Sequence, residues 1–239
     1  MSRIAIAIGL IVAALLLGRT FLVSDRGRPT DPLIVSSGVR SATIMDFSSD
    51  LQLYPPAKGW FHRTFLLRAP MRVSLVSKDG VPALRCETDA SGSIYGRYTD
   101  IDIRRFPRLS WSWMVEKPIV SQIDERSIAG DDHPARLFLR FADSEGKDHT
   151  MEIIWSNKAF QPGEYKYILG FPHYVAHAGT GDIGKWVQEE VDLVQLYELI
   201  SGRNDDARLT IAAIFCDTDD TFASSVAYFS SLKLLPAAP

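Results

Sequence analysis

Beyond about residue 40 the chain alternates short apolar-rich runs with clusters of turn-forming residues. Nine runs, at 71–76, 83–86, 94–98, 109–115, 135–141, 150–155, 165–171, 209–216 and 226–234, have the length and composition of β-strands. The breaks hold Lys78, Asp79 and Gly80, then Asp143 to Lys147, then Gln161, Pro162 and Gly163, which is turn chemistry. One weak helix is expected at 193–200, where Leu193, Leu196, Tyr197 and Ile200 share a face before Gly202. Many short strands with one helix predict a single all-β domain, a two-sheet antiparallel β-sandwich over residues 42–235.

Three strands have informative faces, because successive side chains on a strand point to opposite sides. Leu109, Trp111, Trp113 and Val115 form one apolar face, Leu137, Leu139 and Phe141 a second, and Met151, Ile153 and Trp155 a third. These predict the core. The opposite faces carry Arg136, Phe138 and Arg140 on one strand and Thr150, Glu152 and Ile154 on the next. A wholly solvated face carries more lysine and fewer large apolar groups. Two readings follow: a sheet lining a shallow groove, or an exposed sheet laced by salt bridges among Arg136, Arg140 and Glu152.

The start of the chain reads differently. Arg3 precedes an uncharged apolar run at 4–17, followed by Gly18, Arg19 and a short apolar stretch to Val23. A positive segment before an apolar run is how export signals begin. No small-residue cleavage site is evident, so a signal-anchor over 1–23 is favoured over a cleaved signal peptide, with 24–41 as linker and 236–239 as tail. The sandwich is expected in the periplasm, anchored at the periplasmic face of the inner membrane or free. The whole chain of 239 residues has a formal charge of −3. Residues 1–29 contain four arginines and one aspartate, so the remainder is the more acidic part. That excludes the basic signature of nucleic-acid binders. Cys86 and Cys216 have no zinc-site spacing. They could pair in an oxidising compartment, or Cys216 could be a plain core residue in its apolar run.

Several motifs lapse on inspection. Gly179, Gly181 and Gly184 match the dinucleotide fingerprint, but no βαβ pattern surrounds them, and a glycine-rich hairpin loop is expected. His173 and His177 have helical zinc-site spacing, yet Tyr174 stands where the zinc-protease motif needs glutamate. They read as surface or groove histidines. No nucleophile elbow is present.

Two acidic clusters remain. Asp131, Asp132 and His133 open the strand beginning at 135, and Asp217, Asp219 and Asp220 close the strand ending at 216. Were these strands antiparallel neighbours, the aspartates would gather at one end of the sandwich. Such a cluster suits a calcium ion held by Asp131, Asp132, Asp217, Asp219 and Asp220. It could equally supply a carboxyl pair for glycan cleavage, from Asp132, Asp217 and Asp219. The plain alternative is that aspartates favour turns.

The order of several motifs is similar to one family. Tyr54, Pro55, Pro56 and Ala57 with Gly59 and Trp60, then Pro107 to Trp113, Gly130 to Asp132, 135–141, Ile154 with Trp155, Gly184 to Trp186 and Asp217 to Asp219 resemble the bacterial "domain of unknown function 3047". The resemblance implies a β-sandwich like carbohydrate-binding jelly rolls and brings no established activity. It also implies that Asp131, Asp132, Arg136, Asp217 and Asp219 are the family's polar signature, with Asp220 standing where an amide is usual. The expected function is binding of a glycan or similar polar envelope ligand by Arg136, Arg140, Glu152, Phe138 and His133, with Phe138 or Tyr174 as an exposed stacking ring. The alternatives are a glycan-acting hydrolase or lyase, and an assembly protein without a small ligand.

Overall fold

The computed structural model describes residues 31–36 and 38–237; the expected signal-anchor lies outside them. Fifteen strands run in the order β1 (Leu33–Ile34), β2 (Ala42–Met45), β3 (Trp60–Thr64), β4 (Arg72–Lys78), β5 (Val81–Asp89), β6 (Gly92–Asp102), β7 (Arg108–Lys117) and β8 (Arg136–Ala142). They continue with β9 (Asp148–Ser156), β10 (Tyr165–Ile168), β11 (Phe171–Ala178), β12 (Val187–Asp192), β13 (Arg208–Asp217), β14 (Ser224–Phe229) and β15 (Leu232–Leu235). Among the described residues one α-helix, α1 (Leu193–Ser201), lies between β12 and β13. Asp192 caps it, accepting hydrogen bonds from the Val194 and Gln195 amides, and Gly202 ends it in the left-handed region. Among the described residues no helix is long and apolar enough to cross a membrane.

The strands form two sheets. The larger has eight strands in the order β1-β6-β13-β8-β9-β11-β10, with β3 also on β6; the smaller has seven, β2-β15-β7-β14-β5-β4, with β12 on the other edge of β7. Pairing is antiparallel except at β1–β6 and β9–β11, which run parallel, so the larger sheet is mixed rather than purely antiparallel. Two expected strands are each two. The run 165–171 breaks where Leu169 and Gly170 take positive φ, making a tight β10–β11 hairpin. The run 226–234 breaks at Ser230 and Ser231 into β14 and β15, which share one edge of β7. The glycine-rich loop at 179–184 is not a hairpin, since it joins β11 of the larger sheet to β12 of the smaller.

The three predicted apolar faces all enter one core. Trp111 and Trp113 from the smaller sheet meet Leu137, Leu139, Ile153 and Trp155 from the larger, and each is at most 1% exposed. Trp113 lies 5.8 Å from Trp155, ring centre to ring centre, which ties β7 to β9. The opposite face of the larger sheet has an apolar cluster of its own: Ile94, Phe138, Ile211, Ala213 and Phe215, with Phe61 and Tyr98 packed on it. Gly96 makes room there. A Cβ at that position would stand 2.4 Å from the Ala213 Cβ and 2.7 Å from Phe61 Cζ, so glycine lets the Phe61 ring lie across the sheet.

Candidate functional site

Strands β8 and β13 are antiparallel neighbours, with Arg136 opposite Phe215. The turn before β8 and the turn after β13 therefore meet at one end of the larger sheet. The His133 amide donates to Asp217 Oδ1 at 3.2 Å, and the Asp132 carboxylate accepts from the Asp220 amide at 3.3 Å. Asp132 Oδ2 also accepts from the Thr221 amide and hydroxyl, both at 2.6 Å. Gly92 permits this closeness, because a Cβ there would lie 2.7 Å from the Asp217 Cβ and 3.0 Å from Asp219 Oδ1.

Oxygens of Asp132, Asp217 and Asp219 lie within 4.8 Å of one another, the one trio among the described residues with metal-ligand proximity. Each has a partner within the protein. Arg136 Nη2 donates to Asp217 Oδ1 at 2.5 Å, Thr221 serves Asp132, and Arg68 pairs with Asp219 and stands 3.6 Å from Asp220. Asp131 points elsewhere, towards Lys166, so the five aspartates expected around one ion divide between two groups.

The second group is a buried charge network on the outer face of the larger sheet. Arg136, only 2% exposed, is its hub. It donates from Nη1 to Glu152 at 2.7 Å and from Nη2 to the Asp131 carbonyl as well as to Asp217, and its guanidinium lies 4.6 Å from the centre of the Phe215 ring. Lys166 Nζ donates to Asp131 Oδ1 at 2.6 Å and to His133 Nε2 at 3.0 Å. His173 Nε2 lies 3.3 Å from Glu152. Burial would raise the Asp131 and Glu152 carboxyls. The Arg136 charge overrides it, with His173 and Lys166 helping at Asp131 and His173 at Glu152. Asp131 is held well below the usual range, and Glu152 at about 2. Burial, then Lys166 and Arg136, push His133 down to about 3. The imidazole is therefore neutral, with Nε2 accepting from Lys166 and Nδ1 left to donate to the Trp155 carbonyl at 3.3 Å.

The β7–β8 connection holds this network in place through Glu125. Its buried carboxylate accepts from Ser156 Oγ and from the amides of Asn157, Lys158 and Ala159, at 2.8–2.9 Å. Lys166, His173 and Glu125 are members that pattern reading did not select. Lys166 sits in a run with alternating exposure, and Glu125 in an irregular segment with no periodicity to reveal it.

The other expected site residues fall as follows. Arg140 pairs with Thr210 Oγ1 at 3.1 Å and stands 3.5 Å from Asp148, away from Glu152. Phe138 is 6% exposed within the second apolar cluster, so its ring is no exposed stacking surface. Tyr174 packs against the main core and Tyr165, at 5.2 Å, and is no open platform either. The rings packed on the second apolar cluster, partly buried like Tyr174, are Phe61, Phe65, Tyr98 and Phe171, with Phe61 and Tyr98 4.8 Å apart. His173 and His177 lie on a strand, and a register shift between Val175 and His177 sends them to opposite faces. His173 joins the charge network, while the His177 ring packs tilted against Trp155, centres 4.1 Å apart, and stands 3.2 Å from Glu189. Burial pushes the Glu189 carboxyl up to about 7.

Oxygens of Asp132 and Asp217 come within 4.8 Å of each other, and the two residues are 0% and 2% exposed.

The model of the family DUF3047, "Protein of unknown function (DUF3047)", matches residues 58–233. None of the curated proteins matches. Solved structures with similarity include the family 30 carbohydrate-binding module of a cellulosomal cellulase of Clostridium thermocellum, at 11% identity and TM-score 0.43, covering 76% of this chain and 93% of that one. CtCBM11 is similar at 13% identity and TM-score 0.43, covering 86% and 100%. The xyloglucanase domain of NopAA from Sinorhizobium fredii is similar at 10% identity and TM-score 0.41, covering 74% and 93%.

Proposed function

The chain belongs to the DUF3047 family, and for this member we propose an exported β-sandwich that binds a glycan on the outer face of its larger sheet. One observation carries the reading. That face bears partly buried aromatic rings, Phe61, Phe65, Tyr98 and Phe171, over an apolar floor, with the Arg140 and Thr210 polar groups close by on the same sheet. Grouped exposed apolar area beside a few oriented polar groups is the composition of ligand-binding surfaces. Sugar rings, apolar on their faces and hydroxylated at their edges, complement it. The buried network of Arg136, Asp131, Lys166 and Glu152 shapes the neighbouring part of the sheet without touching the ligand.

In this reading the guanidinium groups of Arg68 and Arg136 offset the rim aspartates, the part that a calcium ion would otherwise play. The apolar run at 4–17 holds the domain on the outer side of the inner membrane. The test uses the full chain extracted in detergent from the membrane fraction and applied to a glycan array. Expected is binding to at least one polysaccharide class, weakened about tenfold or more by Phe61→Ala with an unchanged circular dichroism spectrum. A chain absent from the membrane fraction removes the anchor. Absence of binding to every glycan, or full binding by the Phe61→Ala protein, removes the ligand face.

A further inference from the structure

Cys86 and Cys216 belong to different sheets. Cys86 lies in β5 of the smaller sheet, between Val73 and Ala227, and Cys216 lies in β13 of the larger, opposite Ser93. Both side chains enter the main core, at 1% and 0% exposed. Strands β5 and β13, one from each sheet, have Cα atoms within 8 Å of each other. Both thiols are free and buried, and Cys86 is the thiol that acts on Cys216 across the gap. The charge network and the aromatic face use neither of them.

We infer that Cys86 and Cys216 are a cross-linking pair, joined as a disulfide between the two sheets when the chain folds with a disulfide oxidant present. The chemistry is thiol–disulfide exchange. One cysteine thiolate attacks the oxidant's disulfide, forming a mixed disulfide and releasing one thiol. The second cysteine thiolate then attacks the protein sulfur of that mixed disulfide and releases the other thiol. The pair loses two protons and two electrons, and the oxidant disulfide is reduced to two thiols. Burial raises the Cys216 thiol well above its ordinary range, so the finished reduced fold reacts slowly and the bond forms while the strands assemble. Because Asp217 follows Cys216 directly, the bond fixes the end of β13 that carries the Arg136 partner.

The experiment is independent of any ligand. The full chain is unfolded with reductant and denaturant, then refolded in detergent either with reductant or with a mixture of reduced and oxidised glutathione. Each product is unfolded again, alkylated and weighed. Expected from the glutathione sample is a monomer with no alkylated cysteine and an intact mass lower by two hydrogens. Its melting temperature should rise by about 5–10 °C over the reduced protein. Cys86→Ala should leave one alkylatable thiol and abolish the rise. Two alkylated cysteines in the folded glutathione product, a glutathione adduct on either cysteine, or a covalent dimer would overturn the pairing. Should Cys86→Ala fail to fold, the mass of the unsubstituted chain still decides.

Discussion

Arg136 and Arg140 stand four residues apart on the same face of the same strand, yet they occupy opposite kinds of environment. At Arg136 the β7–β8 connection folds back over the sheet, and a fully buried guanidinium is surrounded by Glu152, Asp217 and the Asp131 carbonyl. Arg140 lacks that ring of buried carboxylates, and its side chain, 13% exposed, pairs with Thr210 and the more exposed Asp148 beside the apolar floor. The difference is not in the strand. It is made by a distant connection whose own anchor is Glu125, so one sheet face is divided into a sealed charged end and an open aromatic end.

Replacing the two arginines in turn is the sharpest way to break that comparison. Arg136→Met leaves Glu152 and Asp217 buried without their counter-charge and is expected to cost about 3–5 kcal/mol. Arg140→Met, beside partly solvated partners, should cost no more than about 1 kcal/mol. Urea unfolding of both variants reads the ratio; similar losses would mean that the two ends are energetically alike.

Acid should come next in effect. Asp131 and Glu152 have folded pKa values below their unfolded values near 4, so the stability they contribute is present above pH ~4 and is lost as pH falls through the folded values, about 2 for Glu152. His133 works in the same direction from higher pH. Its folded value of about 3 lies below the ordinary ~6.5, so the unfolded chain takes up a proton first as pH falls across that interval. The urea midpoint is therefore expected to decline from pH ~6.5 and to collapse between about 4 and 2. A midpoint flat from pH 7 to 4 would deny that the sealed end holds a neutral imidazole.

The smallest expected effect is none. With Arg68 and Arg136 beside the rim aspartates, chelator or added calcium should shift the melting temperature by less than about 1 °C. A clear calcium-dependent rise, removed by Asp132→Asn, would give the trio of Asp132, Asp217 and Asp219 to a cation instead.

Much of this was legible from period-two alternation. Leu137, Leu139 and Phe141 are core because every second residue faces one way, whereas the adjacency of β8 and β13 enters the sequence reading only as a condition, which the structure meets. Alternation could not say what covers a face. It marked Phe138 as a candidate exposed ring, whereas neighbouring strands bring Phe215, Ala213 and Ile211 around it. It also could not register an extra residue in a strand, and the bulge at Ala176 therefore separates two histidines whose spacing implied a common face. Lys166 and Glu125 escaped because a buried charge is defined by partners far away in sequence, Asp131 for one and the 156–159 backbone for the other.

The flanks of the larger sheet carry one more consequence. It finishes on one side in β10, four residues long, and on the other in the short pieces β1 and β3. Such brief margins offer a neighbouring molecule little backbone to zip onto, which guards against runaway strand addition between copies in a crowded compartment.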